Sequence, residues 1–105
     1  MRVEYSDPAL DDLVAIADHV ALDNPAAADR IKDRLFAAIN RLVDHPSMGR
    51  AGRVGRTREL ILDPFIVAYH VRGQVVEVLA VIDGRRGNIT DIIGGRLDEL
   101  GQGEL

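Results

Sequence analysis

The sequence contains no cysteine and no tryptophan, and 12 of its 13 basic residues are arginine. Without cysteine the chain can form neither a disulfide nor a cysteine-ligated metal site, which fits a reducing compartment. No apolar run reaches the roughly 18 residues of a membrane span, and the first residues lack the apolar core of a secretory signal. We therefore expect a single cytoplasmic domain of 105 residues that associates with no membrane and needs no metal or cofactor.

Acidic residues outnumber basic ones, 17 to 13, but the charges are unevenly distributed. Residues 1–46 carry a net charge of −4, residues 47–88 carry +3 and residues 89–105 carry −3. The positive region begins with residues 49–58, which hold four arginines and no acid. Because the whole chain is acidic, direct binding to nucleic acid is not expected, whereas this local positive segment suits an anion or an acidic partner.

Two helices are predicted in the first half of the chain. Asp7-Pro8 and Asn24-Pro25 each indicate an N-cap followed by proline in the first helical turn. The short gap between the helices predicts an antiparallel hairpin. The expected apolar stripes are Leu10, Leu13, Val14, Ala17, Val20 and Ala21 in the first helix, opposite Asp11, Asp12, Asp18 and His19, and Ala28, Ile31, Leu35, Ala38, Ile39 and Leu42 in the second.

Strands are predicted at residues 2–6, 57–62, 65–71 and 75–82, with turns at Asp63-Pro64 and Arg72-Gly73-Gln74. The last two strands have few polar residues, which indicates the centre of a sheet covered on at least part of both faces. The predicted fold class is α+β: an N-terminal strand and an antiparallel helical hairpin packed on an antiparallel sheet, in the order β-α-α-β-β-β. Residues 1–88 are expected to form the domain, and residues 89–105 an acidic C-terminal helix or tail weakened by Gly94-Gly95.

The glycine- and arginine-rich segment at residues 49–58 is the main candidate site. Gly49, Gly52 and Gly55 recur at a spacing that matches neither the dinucleotide fingerprint nor the P-loop. Two interpretations fit: a flexible loop with solvated arginines, or a surface that binds an anion or a protein partner through bidentate guanidinium groups. Two more arginines follow the last predicted strand and either complete this site or solvate a turn. The candidate binding residues are Arg50, Arg53, Arg56, Arg58, Arg85 and Arg86.

Catalytic side chains are not predicted. Glu59 is expected to form an ion pair that fixes the sheet, and Tyr69 to lie in the core or on the sheet surface. Tyr69 and His70 point to opposite faces of one strand, so they cannot act together as an acid–base pair. The three histidines have no zinc-ligand spacing, and the two serines have no companions for a nucleophilic triad.

Six stretches of the chain resemble the ParE/RelE superfamily of toxins from type II toxin–antitoxin modules, in the family's order and spacing across residues 3–86. They are Ser6-Asp-Pro-Ala-Leu-Asp-Asp-Leu13, Asn24-Pro-Ala-Ala-Ala28, Leu42-Val-Asp-His-Pro-Ser-Met-Gly-Arg50, Arg58-Glu-Leu60, Ile66-Val-Ala-Tyr69 and Val76-Glu-Val-Leu-Ala-Val-Ile-Asp-Gly-Arg-Arg86. The resemblance implies the strand, helical hairpin and sheet arrangement described above.

The resemblance also implies one of two activities. RelE-like members cleave mRNA on the ribosome and use acid–base side chains, whereas ParE-like members inhibit DNA gyrase without being nucleases. This chain is more similar to ParE, because Asp83 lies where RelE-like sites often place histidine and no tyrosine follows Arg86. The expected function is thus a non-enzymatic gyrase inhibitor neutralised by a ParD-like antitoxin. The alternatives are a RelE-like mRNA interferase or an inactive antitoxin-binding module.

Overall fold

The computed structural model describes residues 1–103. The helices follow the predicted order, and the predicted α+β class is confirmed. Residues 89–103 form a helix, and a two-residue strand that was not predicted precedes the central sheet strands. The elements are β1 (Arg2–Tyr5), α1 (Asp7–Ala21), α2 (Pro25–Asn40), a 3-10 helix (Arg41–Val43), β2 (Arg50–Ala51), β3 (Arg58–Leu62), β4 (Phe65–Arg72), β5 (Val75–Asp83) and α3 (Ile89–Gly103).

The five strands form one sheet in the order β1-β5-β4-β3-β2. The pairs β3–β4 and β4–β5 are antiparallel, as predicted, and the unpredicted β2 pairs antiparallel with β3. β1 differs, because it lies parallel to β5 with Arg2 opposite Val75 and Tyr5 opposite Val78. The helical hairpin crosses over one face of the sheet, and it carries the chain from β1 back to the opposite edge of the sheet at β2.

The helix starts follow the predicted signals with one correction. Ser6, not Asp7, is the N-cap of α1: its hydroxyl accepts a hydrogen bond of 3.2 Å from the backbone N–H of Ala9. Pro8 therefore lies at the second helical position. Asn24 caps α2 as predicted, since its side-chain oxygen accepts from the Ala27 N–H at 3.1 Å.

The apolar stripe predicted for α1 is partly wrong. Leu10 and Val14 are 42% and 59% exposed, whereas Ala9 is fully buried. Leu13 is buried as expected, and Ile16 packs against the same core. The face that contacts the sheet is therefore rotated toward Ala9 and Ile16. The stripe of α2 is correct, because Ala28, Leu35, Ile39 and Leu42 are all buried.

Both faces of the sheet are covered, as the apolar strands predicted. The hairpin packs on one face, where Leu35 and Ile39 contact a core that includes Val67 and Val78. Helix α3 packs on the other face, where its two buried isoleucines form a second cluster with residues of the sheet. That cluster consists of Ile66, Ala68, Ala80, Ile82, Ile89 and Ile93. No helix within residues 1–103 is long and apolar enough to cross a membrane.

An irregularity in β5 connects the two helical layers. The pairing of β4 with β5 shifts at Ala68 and Tyr69, which leaves Leu79 without a partner in β4. The Leu79 carbonyl accepts a hydrogen bond of 2.8 Å from Arg96 of α3. Arg96 also donates to both carboxylate oxygens of Asp12, at 3.0 and 3.1 Å. Asp12, predicted on the solvent side of α1, therefore fastens α1 to α3 and accepts from the Val81 N–H at 2.9 Å.

Candidate functional site

A buried carboxylate organises the first half of the arginine-rich segment. Glu59 lies on β3, is 1% exposed, and stands opposite Arg50 of β2. Arg53 binds it with two guanidinium hydrogen bonds of 3.0 Å and with its backbone N–H at 2.9 Å. Arg50 adds a third guanidinium contact of 3.1 Å. We call these three residues the Glu59 cluster.

The electrostatics of the Glu59 cluster favour the ionised carboxylate. Burial alone would raise the pKa of Glu59, but the hydrogen bonds from Arg53 and Arg50 and the charge of Arg53 outweigh it and lower that pKa to about 2. The hydrogen bond to Glu59 correspondingly raises the pKa of Arg53. Two of the four arginines in the segment are thus bound to the first acidic residue that follows it, whose single charge balances one of their two positive charges.

The start of the segment is fixed by Tyr69. Its hydroxyl is buried, accepts from the Gly49 N–H at 2.9 Å and donates to the Pro46 carbonyl at 2.8 Å. Burial raises the pKa of Tyr69. A β-carbon on Gly49 would lie 2.7 Å from this hydroxyl, so glycine is required by close approach. Arg58 donates to the Gly49 carbonyl at 2.9 Å from the other side.

The second half of the segment is a tight turn. Both the backbone N–H and the hydroxyl of Thr57 donate to the Val54 carbonyl, at 3.2 and 2.6 Å. Arg56 sits in this turn with a φ of 69°, in the left-handed region that non-glycine residues rarely adopt. Its side chain is exposed. The turn therefore projects one arginine into solvent away from the Glu59 cluster.

Arg56 and Arg58 line an open cleft of about 570 Å³ with residues from β4 and α3. Arg72 and His70 of β4 form its cationic and polar wall, and Glu77 lies beneath them. The Glu77 carboxylate is 2.8 Å from His70 Nε2 and 3.6 Å from Arg72 Nε. We call this the Arg72 cleft; it is lined by Ala51, Arg56, Thr57, Arg58, His70, Val71, Arg72, Leu97 and Leu100.

A second, smaller cleft of about 450 Å³ lies at the other end of the sheet, where Arg50 and Arg85 face the exposed Ile61. Arg85 is not free there, because it binds both carboxylate oxygens of Asp83. Hydrogen bonds from Arg85 lower the pKa of Asp83 to about 2. We call this the Arg85 cleft.

The six predicted arginines therefore do not form one surface. Arg56 and Arg58 share the Arg72 cleft, Arg50 and Arg85 share the Arg85 cleft, and Arg53 is held by Glu59. Arg86 is exposed in the turn after β5 and lines neither cleft. The predicted ion pair of Glu59 involves Arg50 and Arg53 rather than its neighbour Arg58.

Sequence reasoning missed Arg72, His70, Leu97 and Leu100 as parts of a cleft. Arg72 was assigned only to a hairpin turn. A signal did exist, because the two-residue turn predicted at Asp63-Pro64 implies the register seen in the structure, in which Arg58 pairs with Tyr69, three residues before Arg72. The contribution of α3 had no signal, because nothing local indicates which strands a C-terminal helix will cover.

Comparison with known proteins identifies the family. A family model described as the ParE toxin of the type II toxin–antitoxin system, parDE, matches residues 3–87. A Sinorhizobium fredii protein that carries the name "Putative toxin Y4kP" is 36% identical over 83 residues, which cover 77% of this chain and 85% of that protein. Toxin RelE2 of Caulobacter vibrioides is 30% identical over 80 residues, covering 76% and 91%.

The structure supports the same relationship. A chain in the solved structure of a chromosomal ParDE TA system from P. aeruginosa matches with a TM-score of 0.71 and 28% sequence identity, over 79% of this chain and 95% of that chain. The sequence match spans β1 through the turn after β5, which includes both clefts except for the part supplied by α3. This chain belongs to the ParE toxin family of type II toxin–antitoxin systems.

Proposed function

We propose that this protein is the toxin of a type II module, that it inhibits cytoplasmic DNA gyrase by binding rather than by catalysis, and that a ParD-like antitoxin neutralises it. The observation that carries the proposal is the family match across residues 3–87, joined by the structural match to a chain of a ParDE system. Both point to the ParE branch.

The chemistry around the arginines supports a binding role. Asp83, at the end of β5, has a lowered pKa and is bound to Arg85, so it is ionised at neutral pH and a poor proton donor. The Tyr69 hydroxyl is buried and already engaged with Gly49 and Pro46. Neither residue offers a free acid or base to a substrate in the Arg85 cleft.

The arginines are the proposed target- and partner-binding residues. Arg56 and Arg58 present positive charge in the Arg72 cleft, and Arg85 and Arg86 are exposed at the other end of the sheet. Arg50 and Arg53 act mainly through the Glu59 cluster, which holds the segment in place. An acidic antitoxin tail and the target would then compete for overlapping positive surface.

An mRNA interferase is the second candidate, and two observations favour it. One relative is named RelE2. In addition, His70 is within 2.8 Å of the Glu77 carboxylate and shares a cleft with Arg56 and Arg58, so an imidazole lies near cations that could hold phosphate. Against it, the chain carries a net charge of −4, which opposes association with RNA.

The deciding experiment combines growth, mRNA and supercoiling measurements. The protein is induced in cells, and the purified protein is added to a gyrase supercoiling reaction. We expect growth arrest with filaments, intact mRNA and loss of supercoiling. Rapid loss of translated mRNA without gyrase inhibition would establish the interferase instead. A protein with no effect on growth, mRNA or supercoiling would be an inactive antitoxin-binding module, and both toxin proposals would fall.

A further inference from the structure

The Arg72 cleft carries more positive charge than its own acids neutralise. Three guanidinium groups line it, and within residues 1–103 the ion pair that they form is that of Arg72 with Glu77, whose carboxylate also contacts His70. Within residues 1–103, neither Arg56 nor Arg58 forms an ion pair; Arg58 donates instead to the carbonyls of Gly49 and Ser47. Three guanidinium groups and one paired carboxylate leave this site an excess of two positive charges. The Glu59 cluster, in which two guanidinium groups share one carboxylate, has an excess of one.

The opposite wall of the cleft is apolar. Leu97 and Leu100 lie one turn apart on α3 and are both partly exposed toward the cleft. Val71, which lies between His70 and Arg72 on β4, adds another aliphatic side chain to the lining and is 42% exposed. The cleft thus places aliphatic side chains opposite arginines, and its volume of about 570 Å³ accommodates several side chains of a ligand.

This combination favours a peptide over a nucleic acid. The cleft residues include no phenylalanine, tyrosine or tryptophan on which a base could stack. The chain as a whole is acidic and repels a nucleic acid, which is charged at every nucleotide, more strongly than a short peptide with a few carboxylates. A peptide with carboxylates beside an aliphatic side chain satisfies both walls, because the carboxylates pair with the arginines and the aliphatic group covers the leucines.

We propose that the Arg72 cleft is a docking site for an acidic peptide segment in which glutamate or aspartate flanks a leucine-like side chain. Arg56, Arg58 and Arg72 bind the carboxylates, and Leu97 and Leu100 receive the aliphatic group. The identification of this segment as part of the antitoxin rests on the function proposed above, whereas the binding chemistry does not.

The backbone at Arg56 supports this assignment. A φ of 69° is unfavourable for arginine, and asparagine or glycine would fit it with less strain. The turn itself is held by the hydrogen bonds of Thr57 to Val54, and within residues 1–103 the Arg56 side chain forms no hydrogen bond that holds it. A strained arginine whose side chain lines a cleft is typical of a binding position.

The test uses the full chain and a synthetic fluorescein-labelled probe of alternating glutamate and leucine, five residues long. Fluorescence anisotropy at low salt measures its affinity. We expect saturable binding that weakens as salt screens the charges. The variant R56E/R72E should bind the probe at least about tenfold more weakly, the loss of roughly 1.4 kcal/mol. The matched control R30E/R34E has the same charge change on the exposed side of α2 and should bind like the wild type.

A probe of opposite charge distinguishes a loss of the binding site from a loss of stability in the variant. A lysine–leucine probe should bind R56E/R72E more tightly than it binds the wild type, which an unfolded variant would not reproduce. Equal loss in R56E/R72E and R30E/R34E would overturn the proposal, since only net charge would then matter. Saturable binding of a labelled thymidine decamer, with no binding of the peptide, would overturn it in favour of nucleic acid.

The result is separable from the proposed function. If the peptide binds as expected but gyrase supercoiling is unaffected, the docking site stands and the gyrase proposal falls. If supercoiling is inhibited but the wild type does not bind the peptide, the docking site is wrong and the proposed function stands.

Discussion

Arg53 and Arg56 lie three residues apart in one segment, yet their surroundings are opposite. Arg53 forms two guanidinium hydrogen bonds and a backbone hydrogen bond with a carboxylate that is 1% exposed. Arg56 is exposed, strained at φ 69°, and forms no ion pair within residues 1–103. Arg53 stabilises the conformation of the loop, whereas the side chain of Arg56 is exposed on it.

This difference shows that a count of charges along a sequence does not measure the charge that a partner meets. The segment has four arginines, but Arg50 and Arg53 share the carboxylate of Glu59, which lies just beyond the segment's end and balances one of their two charges. Arg56 and Arg58 remain available in a cleft. The comparison predicts that substitutions in the first half act on stability and that substitutions in the second half act on binding.

The largest expected effect is that of Glu59→Gln. The substitution removes the charge of a carboxylate that is 1% exposed and that accepts from both the guanidinium group and the backbone N–H of Arg53, so we expect a loss of about 3 kcal/mol in the free energy of unfolding. That value is at the lower end for a broken buried pair, because the Arg50 side chain is 59% exposed and can be solvated. Urea denaturation measures the loss.

Asp83→Asn is the matched control, since Asp83 also binds an arginine by two oxygens, but that arginine is 79% exposed. Its effect should be far smaller, and equal effects would contradict the comparison. Acid titration gives a second check. Because folding lowers the pKa of Glu59 from 4.5 to about 2, its contribution to stability is complete above pH 4.5 and is lost as the pH falls toward 2. The loss of stability between pH 4.5 and 2 should be smaller in the Glu59→Gln variant.

The next largest effect is the difference in stability expected between alanine substitutions at two glycines of the same segment, Gly49 and Gly55. A β-carbon at Gly49 would lie 2.7 Å from the Tyr69 hydroxyl, whereas one at Gly55 would meet no atom within 4 Å. Gly49→Ala should therefore destabilise the protein by about 2 kcal/mol through overpacking. Gly55→Ala should stabilise it by about 0.5 kcal/mol, because alanine restricts the unfolded chain. Thermal unfolding of both variants tests this, and similar melting temperatures would show that the first half of the loop is not fixed by Tyr69.

Local patterns predicted most of the fold. The helix starts at Asn24-Pro25 and near Ser6, the apolar stripe of α2 and the boundaries of β3 to β5 all depend on neighbouring residues. The predicted stripe of α1 included Leu10 and Val14 because a helix with apolar residues on two sides has no unique buried face in its sequence.

Long-range pairings were less predictable. The Asp12–Arg96 bridge joins residues 84 positions apart, and it forms because both helices reach the β5 irregularity at Leu79. The parallel direction of β1 likewise depends on how the hairpin crosses the sheet. The composition of the Arg72 cleft has the same origin, since β3, β4 and α3 supply its walls. Sequence alone identified Arg56 and Arg58 but not the residues that face them.

The smallest expected effect is that of Arg56→Asn, which tests the second half of the segment, where the arginine side chain is exposed. Asparagine tolerates the left-handed backbone better than arginine, and the Arg56 side chain forms no ion pair within the described residues, so stability should rise by about 0.5 kcal/mol. The same variant should bind the glutamate–leucine probe more weakly than the wild type does. Arg53→Asn should do the reverse, lowering the urea midpoint clearly through the Glu59 cluster. If Arg56→Asn destabilises the protein as much as Arg53→Asn, the two arginines have the same structural role and the contrast between the two halves of the loop is wrong.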